Sequence, residues 1–177
     1  NMKSVMDAIK TLREELKQRV EQGKGIIEKG TPRIFFTLPL SNDPSVMRMV
    51  ENQGLAIPVM WQTQLPEIDR LPHQFKTFEE RAAEAFIRAV HPSSERCVAE
   101  CRSGNVDGAI LFTLFSCRPV SYPMHMHRKY IEEQLGIPVL VLEGDLYDTR
   151  TYSAEQLRTR VETFAEIVKA RKAAVGK

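Results

Sequence analysis

The chain has 177 residues, 42% of them hydrophobic and 27% charged, and 25 basic against 23 acidic side chains leave a formal charge of +2. That size suits one principal compact domain with a real core, and the composition is that of neither a disordered chain nor a fibre. The near balance of charge removes any electrostatic case for nucleic acid or an anionic membrane. No apolar run approaches the about 20 residues of a membrane span, and the N-terminus lacks the apolar region of a signal peptide, so the chain reads as cytoplasmic.

Taken in order, Val5, Ile9, Leu12, Leu16 and Val20 recur at steps of three and four and predict an amphipathic helix over Met2 to Gln22, stopped by Gly23 and Gly25. After Gly30-Thr31-Pro32, Arg33 to Leu38 reads as a strand apolar on both faces, as central parallel strands are, with Pro39 to Asn42 as its exit loop. Asp43 as cap, Pro44 at the first position and Gly54 as stop bracket a helix. Leu55 to Trp61 is the second strand, and Pro58, which cannot donate to a ladder, puts it at an edge.

Gln62 to Lys76 contains Pro66 and Pro72 and no period, a long loop of the kind that covers sites or partners. Thr77 with Glu80 forms a capping box for a helix to about Val90; His91-Pro92 breaks it, and a shorter helix runs from Ser93 or Ser94 to about Arg102. Then comes VDGAILFTLFSCRP, Val106 to Pro119. Asp107-Gly108 punctuates as a turn, Ala109 to Phe115 has a buried-strand pattern, and Cys117 sits where that strand would surface. Tyr122 to Leu135 predicts a helix stopped by Gly136, and Ile137 to Leu142 a fourth strand. Ser153 with Gln156 caps a last helix whose apolar stripe is Leu157, Val161, Phe164 and Val168.

Four apolar strands alternating with helices predict an α/β fold: a four-stranded parallel sheet, flavodoxin-like or Rossmann-like in three layers, with strand order 2-1-3-4 and an N-terminal helix. Residues 1–30 read as that helix and a linker, residues 31–177 as the α/β domain. In this order the chain reverses direction between strands 1 and 3, and ligands of open α/β sheets bind at the carboxyl ends of the strands flanking such a point. Cys117 leaves strand 3 there.

A thiol at that place is either a ligand or a small buried residue. The three cysteines include no Cys-x-x-Cys pair, so neither a disulfide framework nor a zinc knuckle is indicated. Cys97 and Cys101 stand one helical turn apart and either join Cys117 as ligands or face the core beside Val98; their spacing matches no strong iron-sulfur pattern. Glu143-Gly144-Asp145 ends strand 4 on the same edge, where the carboxylates either orient a substrate or cap the exit turn. Asp148, Arg150 and Tyr152 follow in a loop able to close over the site or simply be solvated. His125 and His127, two apart on a helix, cannot share a face and do not make a metal pair. The loop after strand 1, LPLSND, has no glycine, which excludes a dinucleotide fingerprint and a P-loop, and no Gly-x-Ser-x-Gly elbow exists for a hydrolase.

The segments VDGAILFTLFSCRP, LGIPVLVLEGDLYDTRTYS and LRTRVETFAEIV, with RIFFTLPLSNDPSVMRMVENQG upstream, resemble the D-component family of 2-hydroxyacyl-CoA dehydratases, which also includes subunits of benzoyl-CoA reductase. The resemblance runs from about Thr31 to Val168. It is most specific in Ser116-Cys117 followed by Glu143-Gly144-Asp145, Arg150 and Tyr152-Ser153.

It implies a subunit of α/β domains holding a four-iron four-sulfur cluster through three cysteines, the last of them after a strand of the C-terminal domain in a Ser-Cys context. Cys117 matches that position. The other two ligands belong to an N-terminal domain without a counterpart here, and Cys97 and Cys101 fall where the family places none. The chain thus resembles either the C-terminal domain of a longer iron-sulfur subunit or a short relative that has lost a complete cluster, and by itself is expected to hold well under one cluster.

For the complete enzyme the resemblance implies a lyase that removes water from a 2-hydroxyacyl-CoA. A separate ATP-dependent iron-sulfur activator injects one electron, and the resulting ketyl radical makes the β-proton acidic enough to leave. Cys117 would be the metal ligand, with Ser116 and Arg118 beside it, and Leu40, Ser41, Glu143 and Asp145 lining the substrate cavity. The implied partners are a second dehydratase subunit of the same family, the activator and the acyl-CoA. Two other readings stay open: a benzoyl-CoA reductase-type subunit, and a non-catalytic docking module in which Cys117 is merely buried.

Overall fold

The computed structural model describes residues 2–37, 45–61, 77–90, 93–145, 148, 150 and 153–175. They fall into two units, Asn1–Thr31 and Pro32–Lys177. The first holds helix α1 (Met2–Glu21), whose polar side carries the ion pairs Glu14–Lys17 and Glu15–Arg19. Gly23 follows it at φ 64, a left-handed conformation that ends a helix at little cost only for glycine.

The second unit is built on four parallel strands: β1 (Arg33–Thr37), β2 (Ala56–Trp61), β3 (Gly108–Leu114) and β4 (Val139–Gly144). Their order is β2-β1-β3-β4, as the sequence predicts, with the Pro58 strand at an edge. Every residue of β3 is buried. Its side chains alternate between two cores, Ile110, Phe112 and Leu114 on one face and Ala109 and Leu111 on the other, the period of two that a pleated strand imposes.

Helices cover both faces. The first face packs against α2 (Ser45–Asn52) through Val46 and Val50, and against α7 (Ala154–Val175) through Leu157, Val161, Phe164 and Val168. The second packs against α4 (Ser94–Ser103) through Cys97, Val98 and Cys101, and against α6 (Met124–Leu135) through Met124 and Ile131. Helix α3 (Phe78–Val90) opens with the predicted capping box: Thr77 N donates to Glu80 Oε2 at 3.2 Å, and Glu80 N to Thr77 Oγ1 at 3.1 Å. No helix among the described residues is long and apolar enough to cross a membrane.

Three elements differ from the expectation. Strand β3 takes in Gly108, which reads as a turn, and stops at Leu114, leaving Phe115 exposed beyond it. Helical backbone resumes before Tyr122, in the short α5 (Arg118–Ser121), and Pro123 separates it from α6. Proline has no N–H to extend the first segment, but it is tolerated where a helix begins. Strand β4 begins two residues later than Ile137 and runs through Glu143 and Gly144, because pairing with β3 continues to Leu114↔Gly144. Glu143-Gly144 therefore closes the ladder, at the end of strand 4 where the sequence places it.

At the amino edge of the sheet one carboxylate ties three elements together. Asp107 Oδ2 accepts from Arg33 N at 2.8 Å and from Lys172 Nζ at 2.6 Å, and Arg33 Nε donates to Gly104 O at 2.8 Å. This fixes the start of β3 against β1 and α7, so the carboxyl ends of the strands open at the opposite edge.

Candidate functional site

The carboxyl edge is shaped by where the ladders stop. Ala109 N donates to Pro138 O and Phe115 N to Gly144 O, so the odd-numbered amides of β3 face β4 and the even-numbered ones face β1. Pairing of β1 with β3 is seen from Ile34↔Gly108 to Phe36↔Ile110. Beyond it two hydroxyls serve as acceptors for the β1-facing amides: Phe112 N donates to Thr37 Oγ1 and Leu114 N to Ser121 Oγ, each at 2.8 Å. Buried backbone amides need such partners, and both hydroxyls stand at the switch point between β1 and β3.

Cys117 follows directly. It lies at φ −119, ψ 90 as the residue preceding α5, half-buried against the core formed with α2 and α7. Its N–H donates to Leu114 O at 3.2 Å, and its carbonyl accepts from Ser121 N at 3.0 Å. Ser116 and Arg118 flank it, both exposed. Across the β3–β4 ladder, Glu143 is exposed and Asp145 half-buried, with Asp145 Oδ1 accepting from Asp148 N at 3.3 Å. Arg150 holds Asp148 in a two-pronged pair, Nε to Oδ1 and Nη2 to Oδ2, both 2.8 Å, and this pairing lowers the Asp148 carboxyl below its usual range. A cavity of about 260 Å³ opens on this edge, lined by Phe115, Glu143, Ser153, Gln156 and Arg160 among others. Leu40, Ser41, Tyr152 and His91 lie outside the described residues, as do Asp43, Pro44 and the predicted loop over 62–76.

The other two thiols are elsewhere. Cys97 and Cys101 face inward on α4, 2% and 1% exposed, in the core on the opposite side of the sheet from the one Cys117 touches. Burial pushes both up to about 12, so they stay protonated and inert. Among the described residues no group of three or more His, Cys, Asp or Glu side chains is disposed to hold a metal ion. The chemistry of the donors therefore fits one corner of a cluster site, a single thiol at the edge, and does not fit a complete one.

His125 and His127 do face different ways, the first exposed and the second buried. His127, which the sequence treats only as half of a rejected metal pair, closes the contact between α4 and α6: its Nδ1 shares a hydrogen bond with Ser94 Oγ at 2.9 Å. Burial holds its imidazole below the ordinary histidine range, against an opposing pull from the Glu95 charge. Folding thus favours neutral His127, and the stability it contributes is present above about pH 6.5 and is lost as pH falls through the depressed folded value. Urea unfolding midpoints measured at about pH 7.5 and about pH 5.5 are expected to fall with acid, and His127→Gln to flatten that part of the dependence. A slope unchanged in the variant would assign the effect to other groups.

The fold is of the class of doubly wound parallel α/β sheets, whose ligands generally lie across the carboxyl ends of the strands, and it is at this end that the chain carries Cys117, Glu143 and Asp145. The profile of the family "2-hydroxyglutaryl-CoA dehydratase, D-component" matches residues 1–168, and the chain belongs to that family. Among similar proteins, the lactoyl-CoA dehydratase subunit alpha of Anaerotignum propionicum is 28% identical over 126 residues, 68% of this chain and 28% of that protein. The (R)-2-hydroxyglutaryl-CoA dehydratase subunit alpha of Acidaminococcus fermentans is 35% identical over 77 residues, 43% of this chain and 16% of its own length. The (R)-phenyllactyl-CoA dehydratase alpha subunit of Clostridium sporogenes is 33% identical over 72 residues, 41% of this chain and 18% of its own. The chain thus spans well under half the length of these relatives in each match.

Proposed function

We propose that this chain is the C-terminal domain of a 2-hydroxyacyl-CoA dehydratase subunit and lends Cys117 as one thiolate ligand to a four-iron four-sulfur cluster shared with a second domain. One observation carries this reading: of three cysteines, Cys117 alone stands at the carboxyl edge of the sheet, while the other two are sealed in the core. When bound, the cluster supplies a Lewis-acidic iron and a one-electron relay beside the thioester carbonyl. This chain's own share is to hold the thiol on a rigid strand end, with Ser116 and Arg118 free to hydrogen-bond to ligand sulfur or substrate. On this reading Glu143 and Asp145, on the neighbouring strand end, line the place where the acyl group lies.

The relatives bear the names of dehydratase alpha subunits, which supports a second subunit as partner; the acyl-CoA and an ATP-dependent iron-sulfur activator complete the proposed assembly. The reading is tested in the full-length subunit reconstituted anaerobically. Cys117→Ser is expected to remove most of the bound iron and sulfide together with dehydration activity. Cys97→Ala with Cys101→Ala is expected to leave the iron content as it was. Full iron in the Cys117→Ser protein would sink the proposal and favour a docking module without a cluster.

A further inference from the structure

Cys117 is carried on a loop that leaves β3 at Leu114 and is helical again by Arg118. Such a loop at a sheet edge opens readily unless its ends are joined. Here both ends meet at one hydroxyl. Ser121 Oγ accepts from Leu114 N at 2.8 Å and donates to Leu114 O at 2.5 Å, while Ser121 N donates to Cys117 O at 3.0 Å. Cys117 N donates to the same Leu114 carbonyl at 3.2 Å. Four hydrogen bonds therefore link only three residues: the last of β3, the thiol-bearing one and the serine.

We propose that Ser121 is a positioning residue for Cys117, its hydroxyl clasping the end of β3 so that the thiol is presented in one fixed place at the switch-point edge. The chemistry explains why a serine does this. On the β1 side, Leu114 lies beyond the last described pairing with β1, and its amide and carbonyl need an acceptor and a donor respectively. A hydroxyl is the smallest side-chain group that supplies both at once. An alanine at 121 would strip the Leu114 amide of its acceptor and leave the carbonyl with Cys117 N alone, and the loop would be free to open away from the core that Cys117 touches. A fixed ligand direction matters because a metal-binding thiol held loosely loses geometry and affinity together. The value of the clasp to a cluster rests on the reading of Cys117 given above, but its existence does not.

The test uses this chain with no metal present. Cys117 is alkylated with iodoacetamide and followed by peptide mass spectrometry, with buried Cys97 and Cys101 in the same molecule as internal controls. Ser121→Ala is expected to raise the Cys117 rate about fivefold or more, the scale for loss of one or two hydrogen bonds that hold a loop closed. Cys97 and Cys101 should stay unreactive, and Ser121→Thr, which keeps the hydroxyl, should restore the slow rate. An unchanged Cys117 rate, or labelling of all three thiols in parallel, overturns the proposal. If the alanine variant does not fold, hydrogen exchange in the unaltered chain decides: the Leu114 amide must be protected to the level of Ile110, and free exchange at Leu114 overturns the clasp. In the full-length subunit, Ser121→Ala is expected to speed loss of iron to a chelator. Iron retained by Cys117→Ser would refute the ligand reading alone, whereas fast Leu114 exchange would refute the clasp alone.

Discussion

Replacing Gly108 with valine is expected to destabilise the domain by about 3 kcal/mol or more. A β-carbon at this position would lie 2.8 Å from Val168 Cγ2, 3.0 Å from Phe164 Cζ and 3.3 Å from Ile34 Cδ1. Val168 and Phe164 belong to α7, and both are buried, so the collision can be relieved only by lifting the helix from the sheet or by forcing side chains out of their rotamers. Valine is the better strand former, but the whole range of strand propensities spans only about 1 kcal/mol and does not offset the overlap. Urea unfolding of the 177-residue chain measures the cost directly. A loss below about 1 kcal/mol would mean that α7 rides higher over β3 than the contacts indicate. The physical meaning is that a missing side chain on the central strand sets the distance between helix and sheet. That distance in turn places the start of α7, and with it Ser153, Gln156 and Arg160, at the carboxyl edge.

The second large effect is expected from Thr37→Val, a change of almost no volume. Thr37 is 1% exposed, and its Oγ1 accepts the Phe112 amide at 2.8 Å. Valine keeps the shape and removes the acceptor, leaving a buried N–H unpaired at a cost of about 1–3 kcal/mol. Two measurements check this: a shift of the urea midpoint, and faster exchange of the Phe112 amide than of Ile110. Little change in either would show that the amide finds another acceptor. With Ser121, Thr37 supplies a side-chain acceptor to a β3 amide beyond the last described pairing of β1 with β3.

The parts of the fold read correctly from sequence are those that depend on local pattern. The apolar runs over Arg33 to Thr37 and Ala109 to Leu114 announce buried strands, although Phe115, counted with the second run, lies past its end and is exposed. Thr77 with Glu80 announces a helix start, and both signals are legible because periodicity and capping act within a few residues. Pro58 placed its strand at an edge through one missing N–H. Pro123 lies inside the stretch that the pattern reads as one helix from Tyr122, whereas helical backbone is already present in α5 before it. The resemblance to the dehydratase family rested on short segments around Cys117 and Glu143, and these lie on neighbouring strand ends because parallel pairing in register brings Leu114 beside Gly144.

What the chain's own order of residues determined is thus the strand and helix sequence, the position of Cys117 at the end of β3, and the family. The tertiary structure alone decided which thiols are sealed in the core and which stands at the edge. Cys97 and Cys101 have a spacing that suits either ligands or core, and only the packing of α4 against the sheet turns both inward. It also decided the use of ordinary residues that no pattern singles out: Gly108, read as part of a turn, gives α7 its close approach, and the hydroxyls of Thr37 and Ser121 take over where β1 stops. Their partners are remote in sequence or depend on which ladder ends first. Those facts arise from how the layers meet, and a one-dimensional pattern carries no record of them.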